Sequence, residues 1–447
     1  MKNVLIPIAA YSLLSFNNYS VAATKVELEA AILKQQQQLQ LIEKQLSELK
    51  STPVRVAKQN SVSDKNWQIK SYGSVLYKSE PIFKNTQDTD PDQRAKTDLE
   101  RVVIELAYDF YEKWQLELEI EYEHGGTGVT LEYDGFDEFG EFENEIEAGG
   151  EVIVEKLELK YQYNDNIYVK LGRISVPVGI GTDLHKPTQY FTTERHWSEA
   201  TLIPQVWHET GLNVSVSWNN FTAQSLITTG LNSEYFRTHH WVATGLQTRF
   251  EQVNSDDLAF TFRLDYGNIK SGSSVGISLY NGDTSGNRNK TNKISGDGNL
   301  TLIGLHGIWE HDNWLARGQY LFGRLDDSAA ITKANKSTAG LKPGVFAQLG
   351  SKAESAFVEL AYDTKNLLNL TTPLYLFTAY EFANPLKKLE IGTPSSRFNT
   401  QEISLGVNYL PTKNLVFKGQ ISQQIYAQDN LDDTHSFSLS MGYYFSI

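Results

Sequence analysis

From Trp67 to Ile447 the apolar residues recur at every second position, and this period constrains the fold more than any other feature. In the last segment Phe437, Leu439, Met441, Tyr443, Phe445 and Ile447 form one row, while Ser436, Ser438, Ser440, Gly442, Tyr444 and Ser446 form the other. Side chains alternate across a strand, so one face is built for lipid or a dry core and the other for water. The pattern returns in Trp114-Leu116-Leu118-Ile120-Tyr122, in Leu258-Phe260-Phe262-Leu264-Tyr266 and in Ile403-Leu405-Val407-Tyr409. Past residue 23 no apolar run approaches the ~18 residues of a membrane helix, which excludes a helical membrane protein. The 447 residues contain no cysteine, so disulfides, thiol catalysis, iron–sulfur clusters and c-type haem are excluded. Forty Lys and Arg against 54 Asp and Glu leave a net charge of −14, which argues against a nucleic-acid partner. With 23 Tyr, 21 Phe, 8 Trp and 32 Gly, the mixture suits an outer-membrane β-barrel, whose alternation hides the apolar face from any average.

Connections between the alternating segments come in two sizes. Short ones include 111–114, 164–166, 219–220, 310–313 and 411–414; long ones include 80–98, 125–150, 174–205, 281–299, 323–354 and 383–400. Outer-membrane barrels have short periplasmic turns and long outer loops. The sizes alternate if strands run near 67–79, 99–110, 115–124, 151–163, 167–173, 206–218, 221–229 and 241–250. They continue near 258–280, 300–309, 314–322, 355–363, 373–382, 401–410, 415–427 and 436–447. The expectation is an all-β, sixteen-stranded antiparallel transmembrane barrel over 67–447, with both ends periplasmic. A soluble all-β chain would need two sandwiches and gives no reason for the alternation.

The N-terminus follows other rules. Lys2, the apolar stretch Val4 to Phe16 and the small residues Val21-Ala22-Ala23 read as a signal peptide over 1–23, which sends the chain to the envelope of a Gram-negative bacterium. In 24–50, Ile32, Leu39 and Leu46 fall seven apart, with Leu28, Ile42 and Leu49 in the interleaved row. This is a heptad seam on about 40 Å of helix. It implies association with copies of itself as a periplasmic coiled coil, or else an amphipathic helix lying on barrel or membrane. Polar residues 51–66, with Pro53, read as a linker.

Inside the barrel the strand near 115–124 carries the sharpest chemistry. With its apolar row outward, Gln115, Glu117, Glu119, Glu121 and Glu123 line the lumen, about 6.6–6.8 Å apart. Neighbouring strands point Arg101, Glu105 and Asp109, and Lys156, Glu158 and Lys160, toward them. Such a wall either orients small hydrophilic solutes crossing a pore or stiffens the barrel through salt bridges. The acidic loop 125–150 lies outside the cell by parity, and its spacing is not that of an EF-hand. Loop 174–205 is rich in ionisable groups: His185, Lys186, Glu194, Arg195, His196 and Glu199. Folded into the barrel, it would form a constriction that sets selectivity. No H-E-x-x-H motif supports a hydrolase, no His-x-His pair supports a metal site, and no cofactor is expected.

Five stretches also carry a resemblance: Glu119-Ile-Glu-Tyr-Glu-His-Gly-Gly126, Gly149-Gly-Glu-Val-Ile-Val-Glu-Lys156, Leu171-Gly-Arg-Ile-Ser-Val-Pro-Val-Gly179, Tyr190-Phe-Thr-Thr-Glu-Arg-His-Trp197 and Ile203-Pro-Gln-Val-Trp-His-Glu-Thr-Gly211. Over roughly 100–220 the chain resembles the phosphate/polyphosphate-selective porin superfamily. The resemblance implies a sixteen-stranded, trimeric, solute-selective porin embedded among outer-membrane lipid and lipopolysaccharide. Related porins with an N-terminal periplasmic coiled coil would match residues 24–50. Phosphate-selective members line their pore with arginines and lysines, whereas this chain presents glutamates, so phosphate is not carried over as the solute. The chain also ends in Ile447 where such proteins usually end in Phe. The expected function is passive diffusion of small hydrophilic or ionic solutes with a mild cation preference. The alternative is a substrate-specific receptor-porin for a metal chelate or siderophore.

Overall fold

The computed structural model describes residues 66–85, 87–125, 130–132, 145–147, 151–247, 253–336 and 347–447. The expected signal peptide, coiled coil and nearly all of the linker lie outside them, as does most of the acidic loop 125–150.

Eighteen strands are described. They are β1 (Trp67–Ile82), β2 (Asp92–Tyr111), β3 (Trp114–Glu123), β4 (Thr130–Glu132), β5 (Glu145–Glu147), β6 (Glu151–Asn164), β7 (Ile167–Ser175), β8 (His208–Trp218) and β9 (Phe221–Thr229), then β10 (Leu258–Gly267), β11 (Ser274–Gly282), β12 (Leu300–His311), β13 (Trp314–Leu325), β14 (Lys352–Asp363), β15 (Leu374–Lys388), β16 (Thr400–Thr412), β17 (Leu415–Tyr426) and β18 (Thr434–Ser446). Strands β4 and β5 pair only with each other. The other sixteen close into one antiparallel barrel, sealed where β1 meets β18 from Lys70↔Ser446 to Ser79↔Phe437. Closure gives each of these sixteen strands a partner on both edges.

The count of sixteen agrees with the alternation, but two segments differ. Of the expected strand 241–250, residues 241–247 are described and form no strand: Trp241 and Val242 are fully buried, and Ala243–Gly245 is a single 3₁₀ turn. The expected long strand 258–280 is two, β10 and β11, divided by a turn in which Asn268 accepts from the Lys270 amide and Gly267 and Gly272 take positive φ. Apolar residues run through both stretches, so period alone hid the boundaries. The two differences cancel in the count. The first hairpin is also taller than expected, since β2 begins at Asp92 and not near 99.

The turn end is tight. Asn219 and Asp312 begin two-residue connections with φ of 50° and 53°, a left-handed conformation these short polar side chains tolerate. An aromatic belt circles this end, with ring centroids 4.5 Å apart in Trp67–Tyr108, 4.6 Å in Trp114–Tyr161, 5.0 Å in Phe221–Tyr266 and 4.7 Å in Trp314–Tyr362. Each pair joins neighbouring strands and contributes about 0.5–1.5 kcal/mol beyond the area it covers. Outward positions such as Leu439, Leu405, Ile277 and Val358 are exposed along the wall.

A dry core fills one side of the barrel mouth. Loop residues Val176, Val178, Leu202, Ile203, Trp207, Phe236 and Trp241 pack there against Tyr280, Leu300, Leu302, Leu321 and Leu325 on the inner faces of β11–β13. Trp241 Nε1 donates to the Gly350 carbonyl at 2.8 Å. Gly323 makes room for that indole: a Cβ there would lie 2.0 Å from the ring.

Candidate functional site

The glutamate row of β3 faces inward, and its countercharges are in place. Register sets Glu119 opposite Lys156 and Glu117 opposite Glu158. A bulge lies between the pairs Glu119↔Lys156 and Ile120↔Val154, leaving Glu155 as the extra residue of β6. Both Glu155 and Lys156 then reach inner-wall partners: Glu155 meets His208 Nδ1 at 3.1 Å, and Lys156 Nζ lies 3.1 Å from Glu117 and 3.4 Å from Glu119. Tyr72 donates to Glu119 at 2.8 Å. Arg101, fully buried, stands 3.8 Å from Glu121. Glu123 ends the row, opposite Arg101 in register. Glu158 is held by Lys170 at 2.6 Å, while Lys160 rests over the Tyr168 ring. Glu105 takes Lys186 at 2.6 Å and Lys70 at 3.5 Å. The wall is an interleaved salt-bridge network.

The segment between β7 and β8 crosses the lumen and is fastened to walls far away in sequence. Arg101 Nη2 donates to the His185 carbonyl at 2.6 Å, and Lys186 reaches Glu105. Across the barrel, Glu359 accepts from the amides of Phe191 and Thr192 at 3.0 and 3.3 Å and also faces Arg317 and His196. The His196 ring lies 3.4 Å from Glu359 and 3.1 Å from Glu381, stacked on Phe357. Burial opposes its charge, but the Glu381 and Glu359 carboxylates outweigh burial and raise its pKa to about 10. Lys418 donates to the carbonyls of Tyr190 and Thr192, both at 2.8 Å. Glu194 pairs with Lys78 at 2.7 Å.

Two ionisable groups of this loop sit in neutralising surroundings. Burial pushes Glu199 up to about 7, while the Gln319 amide donates to it at 2.9 Å. Burial, with Arg101 beside it, holds His185 well below the usual imidazole range, and its Nδ1–H donates to the Thr182 carbonyl at 2.6 Å. Gly179 is the hinge of the crossing: its φ is 73°, and a Cβ would lie 2.3 Å from Gln319 Oε1. Beneath it Arg263 donates to the Gly179 carbonyl and to Asp183, each at 2.8 Å.

Beside the loop, a polar cavity of about 270 Å³ is bounded by Lys78, Glu80, Glu194, Arg195, Trp197, Glu381, Glu402 and hydroxyl and amide side chains of β17 and β18. Arg195 also borders a smaller recess with Tyr190, His196 and Glu199. Of the loop residues expected at a constriction, Glu194, Arg195, His196 and Glu199 thus border adjoining spaces, whereas His185 and Lys186 dock on β2 beside the β3 row. Sequence reasoning missed Lys78, Glu359, Glu381, Glu402 and Lys418. Glu359 and Glu381 are marked in the sequence only by standing on the row opposite an apolar one, as any inward-facing carboxylate would. Among the described residues no group of three or more His, Asp or Glu is arranged to hold a metal ion.

No family model matches the chain. A protein of Aquifex aeolicus (strain VF5), named only as uncharacterized, is 25% identical over 387 residues, covering 85% of this chain and 81% of its own length. Among solved structures, Salmonella typhi OmpF in complex with daunomycin superposes with a TM-score of 0.52 at 10% identity, covering 85% of this chain and 97% of its own. Pseudomonas putida OprB at high pH gives 0.51 at 13% identity, over 85% and 94%. The outer membrane channel DcaP of Acinetobacter baumannii gives 0.50 at 9% identity, over 86% and 99%. At these identities the likeness is one of fold.

Proposed function

We propose that this chain is an outer-membrane porin of a Gram-negative bacterium, through which small hydrophilic or ionic solutes diffuse passively. One observation carries the reading: a closed sixteen-strand ring with an apolar, aromatic-belted outer face and a charged, hydroxyl-rich inner one. A ring with no unpaired edge can sit in hydrocarbon, where an open sheet cannot. The fold shared with outer-membrane porins supports the same reading. Residues 174–205 act as the constriction, because they cross the lumen and narrow it to polar gaps. The β3 network contributes rigidity and a slightly negative field, since its glutamates are largely countered by lysines.

The test is direct. The protein, refolded in detergent and added to planar lipid bilayers, gives discrete conductance steps, and cell fractionation places it in the outer membrane. Reversal potentials in a salt gradient show a mild cation preference. Recovery in the periplasmic soluble fraction, or bilayers without steps, overturns the reading.

A further inference from the structure

The polar cavity beside the inward loop is unusual in its unpaired groups. Lys78 is occupied by Glu80 and Glu194, and Glu381 by His196 and Ser198. Three lining groups are left over. Arg195 makes no hydrogen bond or ion pair with another described residue, and its Nε is buried without a partner. The indole Nε1 of Trp197, on the same loop, is likewise buried without an acceptor. On the facing wall Glu402 accepts from Ser404 at 3.1 Å and also meets the Ser422 hydroxyl, and it has no cation within ion-pair distance among the described residues. Arg195 and Glu402 do not satisfy each other, although both border the same space.

A buried donor without an acceptor costs about 1–3 kcal/mol, and a charge more. Two donors at one place and a carboxylate without an ion-pair partner at another describe the complement of a solute bearing both charges. We infer that this cavity is a binding subsite for a small zwitterion of the α-amino acid type, its carboxylate toward Arg195 and Trp197 and its ammonium toward Glu402. At about 270 Å³ the space lies below the ~300–1,000 Å³ of drug-sized pockets and suits a compact solute. The remaining wall, Gln420, Ser422, Ser436 and Ser438 among it, offers neutral hydrogen-bonding groups to a polar side chain. A simple anion would leave Glu402 unmatched, and a simple cation would leave Arg195 unmatched. The inference rests on the channel reading for access to the cavity.

The experiment uses the full chain in planar bilayers, with L-alanine as probe and potassium acetate and methylammonium chloride as half-molecule controls. L-alanine produces saturable interruptions of the current, while each control is at least about tenfold weaker, as expected when one charge-assisted contact is lost. Arg195→Gln and Glu402→Gln each raise the half-blocking concentration about tenfold with single-channel steps retained. Acetate interrupting as well as L-alanine, with Glu402→Gln without effect, overturns the zwitterion assignment in favour of an anion site. Steps that L-alanine leaves unchanged overturn the subsite alone. Calorimetry in detergent reads the site without a current: binding of L-alanine abolished by Glu402→Gln upholds it even if no conductance is found, which would sink only the channel reading.

Discussion

Single residues decide how the inward loop is held. His196 reads two carboxylates at once, and its pKa rises from 6.5 to about 10 because Glu381 and Glu359 outweigh burial. A group raised on folding stabilises fully below its unfolded value, and that contribution is lost as pH climbs toward the folded one. The loop's docking through His196 therefore weakens between about pH 6.5 and 10. Glu199, lifted by burial from 4.5 to about 7, favours the docked loop below pH 4.5 and loses that contribution by about pH 7. Measured as the temperature at which the compact gel band is lost, stability should fall across both windows. His196→Gln should flatten the upper window and Glu199→Gln the lower; a slope unchanged in either variant would refute the assignment. Lys418→Met strips a donor from two carbonyls, at about 1–3 kcal/mol each, and should lower that temperature and raise single-channel noise.

Among elements, the packing of loop on strand follows from missing side chains as much as from present ones. Trp241 lies against Gly323 of β13, and a methyl group there would meet the indole at 2.0 Å. Trp241→Ala should cost about 3–5 kcal/mol through the cavity it leaves, and Gly323→Ala about 1–3 through overpacking. The double variant should cost less than the two together, because the clash disappears with the ring. Chemical unfolding of all three in lipid vesicles checks this; simple additivity would mean the two residues do not touch. This contact also explains why 241–250 resembled a strand. Trp241 and Val242 are inward anchors of a loop, and short apolar runs do not reveal whether they are paired to a strand or buried as a turn. The β3 row was legible because every outward partner is apolar, whereas Glu359 and Glu381 pass for ordinary solvent-facing residues until the loop arrives against them.

On the outer-membrane reading the barrel as a whole has two solvents, and residues of the two faces of β18 tell them apart. Leu439→Arg, on the outer face near the middle of the strand, should cost about 2–4 kcal/mol of stability in bilayers. Ser436→Arg, which borders the cavity, should instead leave stability near the parent value and alter conductance. Equal destabilisation by both would point to a dry interior on either side. The heptads of 24–50 belong to this scale too. If they hold a homotrimer, the full chain gives trimers by cross-linking and current steps in groups of three, and deleting 24–50 gives monomers with single steps; a full chain that cross-links only as a monomer, or trimers that persist after the deletion, would refute that role.

The alternation after Trp67, the two loop sizes and the absence of cysteine already dictated a closed all-β ring with one apolar and one wet face, because the period of two leaves a strand no other way to sort its side chains. The inward face of β3 followed from the same rule. What folding alone decided is which charges remain unmatched. Glu155 reaches His208 through a bulge that no periodicity announces, and Lys418 finds its acceptors 226 and 228 positions away. Arg195 and Glu402 are left facing one cavity because the loop's crossing is fixed by contacts on several strands at once. Those contacts depend on three-dimensional register, and the linear order of residues does not encode it locally.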